Sequence, residues 1–503
     1  MSLFPMSSGK ARVRLVQAGA SLVAAALVAG CGNNYRPVVT PINPSGPAAQ
    51  PTSYAVVVSA PSPKTAGIVT ILDYSGDTVM AIAPIGPGPK NFVMDQLGAS
   101  GYTLNSDGTL AYFPISTTLQ AKFVLYSTLA PNAQPLNFMA PSAGLWATNL
   151  AGNTVDLFQS TPASFKLSIP VPATPVTIVG SPSLAGQREY AVSLNYSDPS
   201  GLACNSSPST QPTGVITPIE IATNTTDPPI PVGKCPVYAV PSSDVRRIFV
   251  VNRGSDTVSV INGDTNSLNQ CTPFTDGHTG RKVTCHPALP LSTTAVSATG
   301  VTPPNGAAGM PATAEPVYAE YNAATSQLVV ADYAGGTISL IDVSLDEFGN
   351  DSATFGTTYT IPVGKNPASV TVLYDGSRAY TANQADGTVT IANLTSHTVL
   401  KTLAVVGHPR TIISTQNSLF GKVYVASPDS PYVTILSVAT DLVDTTVLVE
   451  GNVVDVRVTT QNAVNGNANV TSRTPGYGQP CNLPGIPPPT GSQTPLQACQ
   501  AIP

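Results

Sequence analysis

Few side chains in this 503-residue chain are equipped for acid–base or metal chemistry. Of its four histidines, His278 and His286 share one stretch with Arg281 and Lys282, His408 stands just before Arg410, and His397 is isolated. A histidine serving as general base or metal ligand needs a carboxylate or a second ligand within reach, and the spacing supplies neither. Asp95, Glu320 and Asp455 fall in or beside apolar alternating runs, where each can face inward or sit at a strand end. No G-x-S-x-G, H-E-x-x-H, Walker or G-x-G-x-x-G signature stands in a fitting context, and no C-x-x-C pair is present. The sequence therefore indicates no catalytic residue, no metal site and no cofactor. His278, Arg281, Lys282, His286, His408 and Arg410 are candidates for binding.

The elements that must position them are short strands in a repeated unit, cleanest from Ile361 to Leu394. Val370 and Val372 alternate with Ser369 and Thr371, and Val389 and Ile391 with Thr388 and Thr390, the period of a half-buried strand. Gly364 to Pro367, Asp375-Gly376 and Asn383 to Gly387 have the residues that tight turns require. On VGKNP, YDGSRAYTAN and DGTVTIANL this unit resembles the YVTN repeat of bacterial and archaeal β-propellers. The resemblance implies an all-β fold of four-stranded antiparallel blades. Ser369 to Tyr374 would be innermost strand a, Ala379 to Asn383 b, Thr388 to Leu394 c, and Val399 to Val405 d.

Strand b recurs as Tyr54 to Ser59, Leu110 to Phe113, Leu145 to Asn149, Tyr190 to Asn195, Ile248 to Asn252, Leu328 to Asp332, Ala379 to Asn383 and Val423 to Ser427. The second copy leaves little room for a fourth strand, so seven blades are favoured, with eight possible. The first copy opens on b and the last ends on a strand-a pattern. Val453 to Val458 should therefore pair beside Tyr54 to Ser59 and close residues 54–458 into one propeller, leaving no open sheet edge. Asn149, Asn195, Asn252 and Asn383 end their b strands and read as architecture. Trp146 reads as inter-blade core.

In this register the b–c and d–a connections share one face. The Ser/Pro-rich insertion after Asn195, the stretch from Gln270 to Pro316 and the stretch from Pro87 to Gly101 all fall there, and loops on a rigid scaffold are where binding concentrates. His278, Arg281, Lys282, His286, His408 and Arg410 are expected on that face, and His397 on the opposite one.

The N-terminus reads as an address. Lys10, Arg12 and Arg14 precede an uncharged run from Leu15 to Ala29, the pattern of a secretory signal. Val28-Ala29-Gly30-Cys31 resembles a bacterial lipobox, which implies cleavage before Cys31 and acylation of that cysteine. Residues 1–30 would be the signal, 31–53 a Pro-rich linker, and 459–503 an irregular tail. No other stretch approaches the roughly 20 apolar residues needed to span a bilayer. Charged residues are 10% of the chain, against about 25% in ordinary soluble domains. Without the three basic residues of the signal, 19 basic residues face 27 acidic ones, a formal charge of −8. That excludes a basic nucleic-acid surface. Six cysteines beyond Cys31, in an exported chain, read as disulfides. Sequence neighbours suggest Cys204–Cys235, Cys271–Cys285 and Cys481–Cys499, among fifteen possible pairings.

These features favour a non-catalytic binding or scaffold propeller, lipid-anchored in the periplasm or at the cell surface. Its partner would be an envelope protein or a saccharide. The resemblance leaves a lactonase-like hydrolase as the alternative, and the long loops leave a subunit of an envelope complex. The hydrolase would require at least two of Asp95, Glu320, His408, Arg410 and Asp455 to converge at the channel mouth.

Overall fold

The computed structural model describes residues 53–459, except 63, 74, 96–97, 130–132, 140–143, 161–162, 181–187, 199–203, 205–206 and 292–312. Period-two alternation yields eight antiparallel units around a ring, six of four strands and two, blades 4 and 5, whose outermost strand is in two pieces. Blade 7 is the plain form: Pro367–Val372 (a), Arg378–Asn383 (b), Thr388–Asn393 (c) and Thr398–Ala404 (d). Its inner three strands are almost wholly buried and strand d is mostly exposed, as a radial wedge requires. The other a strands are Pro89–Met94, Pro135–Met139, Pro175–Gly180, Pro236–Pro241 and Pro316–Asn322 in blades 2 to 6. Blade 8 uses Thr411–Ser414.

Blade 1 takes its a strand from the other end of the chain. Tyr54–Ala60 pairs antiparallel with Asn452–Val458, Ala55 opposite Val458 and Ala60 opposite Asn452. Tyr54 and Thr459 bond to each other through both backbone and the Thr459 hydroxyl. The expected closure is present. Apolar side chains fill the spaces between blades, and Trp146, fully buried, lies between blades 3 and 4.

The second copy is a complete blade, so the ring has eight blades and the narrow preference for seven is corrected. Pro89–Met94 is its strand a and Ser100–Asn105 its strand b. Leu110 to Phe113, read as b, lies in strand c (Thr109–Pro114), and the next strand, Leu125–Thr128, is d. Pro87 to Gly101 is therefore no enlarged loop.

Six a strands begin with a proline paired to the last residue of strand b: Pro89 with Asn105, Pro135 with Asn149, Pro175 with Ser193, Pro236 with Asn252, Pro316 with Asp332, Pro367 with Asn383. This explains the VGKNP signal. The Asn383 amide donates to Thr388 and Thr390, and Asn252 donates likewise to Thr257 and Ser259. A Cβ on Gly364 would lie 2.6 Å from the Asn383 side chain, so only glycine fits above it. The asparagines are architectural as expected. Asn195 stands two residues beyond its slot, which Ser193 fills.

Candidate functional site

The b–c and d–a connections define an upper face, the a–b and c–d turns a lower one. On the upper face, the residues that directly follow the asparagine slot in three successive blades are buried and touch one another. These are Arg253, Tyr333 and Gln384, in blades 5, 6 and 7. Arg253 donates from Nε and Nη2 to Glu315 Oε2 at 3.0 and 2.7 Å, and its guanidinium lies 5.5 Å from the centre of the Tyr333 ring. The Tyr333 hydroxyl donates to Gln384 Oε1 at 3.2 Å. Burial pushes that hydroxyl up to about 12, against the pull of Arg253 and Arg410.

Arg410 opens strand a of blade 8, its backbone N–H donating to Ala426. Its charge bears on Tyr333 in blade 6 and on Asp455 in blade 1. Only 2% of Arg410 is exposed, and burial pulls its pKa down to about 10. Keeping that guanidinium charged at neutral pH costs roughly 3 kcal/mol, at about 1.36 kcal/mol per pKa unit. Deeper along blade 1, Asp455 accepts from Arg457 Nη2 at 2.6 Å and from the Val456 N–H. Burial raises Asp455 to about 6 although Arg457 and Thr411 bond to it. Arg457 in turn bears on Tyr238 in blade 5, across the ring, and the Tyr238 ring packs on that of Tyr318 with centres 4.7 Å apart. Three buried arginines thus line the axis with two carboxylates. Polar links between a strands continue the ring: Asn91 to Asn137, Asn137 to Thr177, and Thr371 to Ser414.

Of the five residues that could have converged, Arg410 and Asp455 influence each other electrostatically, and the other three stand apart. Glu320 lies toward the lower end of its strand and accepts the Val372 N–H, tying two blades together. Asp95 accepts the Ala99 N–H in a lower turn. His408 is on the upper face but held by Asp429, through its backbone N–H at 2.8 Å and its Nδ1.

The long stretch after Gln270 divides. Strand d of blade 5 is split into Ser267–Leu268 and Ala288–Pro290, and residues 269–287 form a rim excursion that leaves and rejoins it at Val260. His278, Arg281, Lys282 and His286 sit in this excursion, against the c–d loop of blade 6. His278 stacks on Phe348, Arg281 donates to Asp346 and to the Asp351 carbonyl, and Lys282 lies in a small hairpin opposite Thr275. His286 Nδ1 is 2.9 Å from the Asp351 carboxylate, which also accepts from Arg247 and Asn269. These four residues therefore do not share a face with His408 and Arg410. His397 lies in a lower turn as expected, its ring stacked on Tyr359 with centres 3.8 Å apart.

Cys204–Cys235 and Cys271–Cys285 are disulfides. The first joins the upper b–c insertion of blade 4 to the turn entering blade 5. Cys31, Cys481 and Cys499 lie outside the described residues. Both bridges suit an oxidising compartment. Among the described residues no helix is long and apolar enough to cross a membrane, and no cluster of His, Cys, Asp and Glu could hold a metal ion.

A ring of eight such sheets around a polar axis is a β-propeller. No known protein family matches the sequence, and no curated protein matches it. Among solved structures the fold is similar to apo AztD from Citrobacter koseri, at TM-score 0.51 and 12% identity over 81% of this chain and 97% of that one. A second C. koseri AztD structure gives TM-score 0.52 and 10% identity over the same shares. A Bacteroides fragilis protein provisionally named a 6-phosphogluconolactonase is more distant, at TM-score 0.47 and 14% identity over 82% of this chain and 99% of that one. Identity this low speaks for the shared propeller architecture alone.

Proposed function

We propose that the protein is a YVTN-type propeller, carried outside the cytoplasm on an acylated Cys31, that binds a small anionic ligand of the sugar-acid or carboxylate class at its upper mouth. The observation that carries this reading is the buried guanidinium of Arg410 at the head of blade 8, which bears electrostatically on Tyr333 and Asp455. A guanidinium there gives the mouth a fixed positive charge of the kind that carboxylates and phosphates pair with. Beside Tyr333, the Gln384 amide N–H group has no partner among the described residues and offers a donor of the kind hydroxyacids and sugar acids use. The His408–Asp429 pair flanks the entrance.

Binding is favoured over lactonase-like hydrolysis for a specific reason. The one carboxylate with a raised pKa on the axis, Asp455, already accepts from Arg457, the Val456 N–H and Thr411. A general base needs a lone pair directed at substrate.

The test is a thermal-shift panel of glucuronate, gluconate, acetate and phosphate on the native chain and on Arg410→Gln. At least one organic anion should raise Tm of the native protein at pH 7, and the shift should vanish in Arg410→Gln while that variant's own Tm holds. Equal shifts in both proteins would defeat the proposal. The anchor has its own test: Cys31→Ser should release the protein from membranes.

A further inference from the structure

Exposed large apolar side chains are distributed unevenly around the ring. Apart from Phe165, Phe274 and Phe348, all of those on the described residues belong to blades 7, 8, 1 and 2, a contiguous sector centred on the strand closure. Most stand at the lower ends of the outermost strands, next to the c–d turns. Val399 and Leu400 lie at the start of Thr398–Ala404, Leu442 and Val443 at the start of Leu442–Leu448, and Val79 at the start of Thr78–Pro87. Blade 2 adds Phe123 and Leu125 at the same level. The lower a–b turn of blade 8 adds Leu419 and Phe420, 57% and 82% exposed.

We infer that this lower rim rests on a lipid bilayer. Three observations select that occupant. First, the chain enters the propeller at Tyr54, the lower end of blade 1, within the apolar sector. Cys31, whose acylation is proposed above, precedes Tyr54 by a linker that spans at most roughly 75 Å when fully extended. The tether therefore leaves the propeller from this rim. Second, at this rim Lys422 is paired with Asp77 and Arg378 with Asp441 at 2.7 Å, whereas Lys401 donates to the Thr440 and Asp441 carbonyls and Lys122 lies over the exposed Phe123 ring. With two of these four cations neutralised, apolar insertion is the larger driving force, and Lys122 and Lys401 are left to meet headgroups. Third, the band follows the bottom edge of adjoining blades, so tilting the disc lays it on one plane, while the upper mouth stays open to solvent. An exposed apolar edge of this extent otherwise invites association.

The inference rests on the anchored reading, and the experiment separates the two. Phe420→Trp and, as a control on the distant rim, Phe274→Trp are made in the full chain, matured in cells and reconstituted in phosphatidylcholine vesicles containing brominated lipid. Buried Trp146 sets the background. Phe420→Trp should lose about half of its added emission, and Phe274→Trp none of it. Replacing a third of the lipid with phosphatidylglycerol should leave the quenching nearly unchanged. An unquenched Phe420→Trp, equal quenching at both sites, or a dimer formed through this rim without vesicles would overturn the inference. The intact mass of the mature chain reports Cys31 acylation independently. An acylated but unquenched protein refutes the docking alone, and a quenched, unacylated one refutes the anchor alone.

Discussion

The lower and upper faces of the ring use charge in opposite ways. On the lower face a basic residue opening strand b reaches the c–d region of the next blade, and the device recurs. Arg188 donates to the Gly263 carbonyl, Arg247 to Asp351, Arg378 to Asp441 and Lys422 to Asp77. On the upper face the arginines of the axis, Arg253 and Arg410, have no counterpart in the other blades. A contact repeated from blade to blade serves closure of the ring. A charged group found in one blade only is where we place the proposed ligand binding.

Breaking the strongest lower latch should have the largest effect. Asp351 is fully buried and accepts from Arg247, Asn269 and His286, so Asp351→Ala strands a buried guanidinium and should cost about 3–5 kcal/mol of stability. Asp441→Ala, at a half-buried latch that also holds the Tyr380 hydroxyl, should cost about 2 kcal/mol. Urea denaturation of both variants checks the order, and anion binding should survive in each. Equal losses would mean that burial does not set latch strength.

The asparagine slot gives a prediction of opposite sign. Blade 6 has Asp332 where blades 5 and 7 have Asn252 and Asn383, and burial raises its carboxyl to about 8 although Ser339 and Thr337 donate to it. The folded protein keeps this proton to about pH 8, whereas an unfolded aspartate releases it near its ordinary value of about 3.9. Between those values the native state binds more protons, so its stability falls as pH rises. Asp332→Asn removes the penalty and should stabilise by up to about 4 kcal/mol at pH 7, and hardly at all at pH 4. Denaturation at the two pH values decides it.

How much of this is legible in the residues depends on pattern length. Blade 7 and the pairing of Val453 to Val458 with Tyr54 to Ser59 are legible because their alternation runs unbroken. Cys204–Cys235 and Cys271–Cys285 follow from neighbourhood in the chain. Blade 2 is obscured because PIGPGPK looks like loop, although Pro89 there starts a strand, and because SGYTLN carries a glycine near its start. The rim excursion hides the split strand of blade 5, whose two pieces of two and three residues carry no periodicity. Arg410 is visible as a candidate. Arg253, Tyr333 and Gln384 carry no motif of their own. Each directly follows the slot residue Asn252, Asp332 or Asn383, and comparing that one column across the copies would single them out.

The central claim is that the upper mouth, and not the latches, is built for an anion. The direct measurement is anomalous diffraction from a crystal soaked in bromide. The account predicts a bromide beside Arg410 and Tyr333 in the native protein, absent from Arg410→Gln. Bromide confined to the outer surface, or bound at the mouth equally in both proteins, would contradict it.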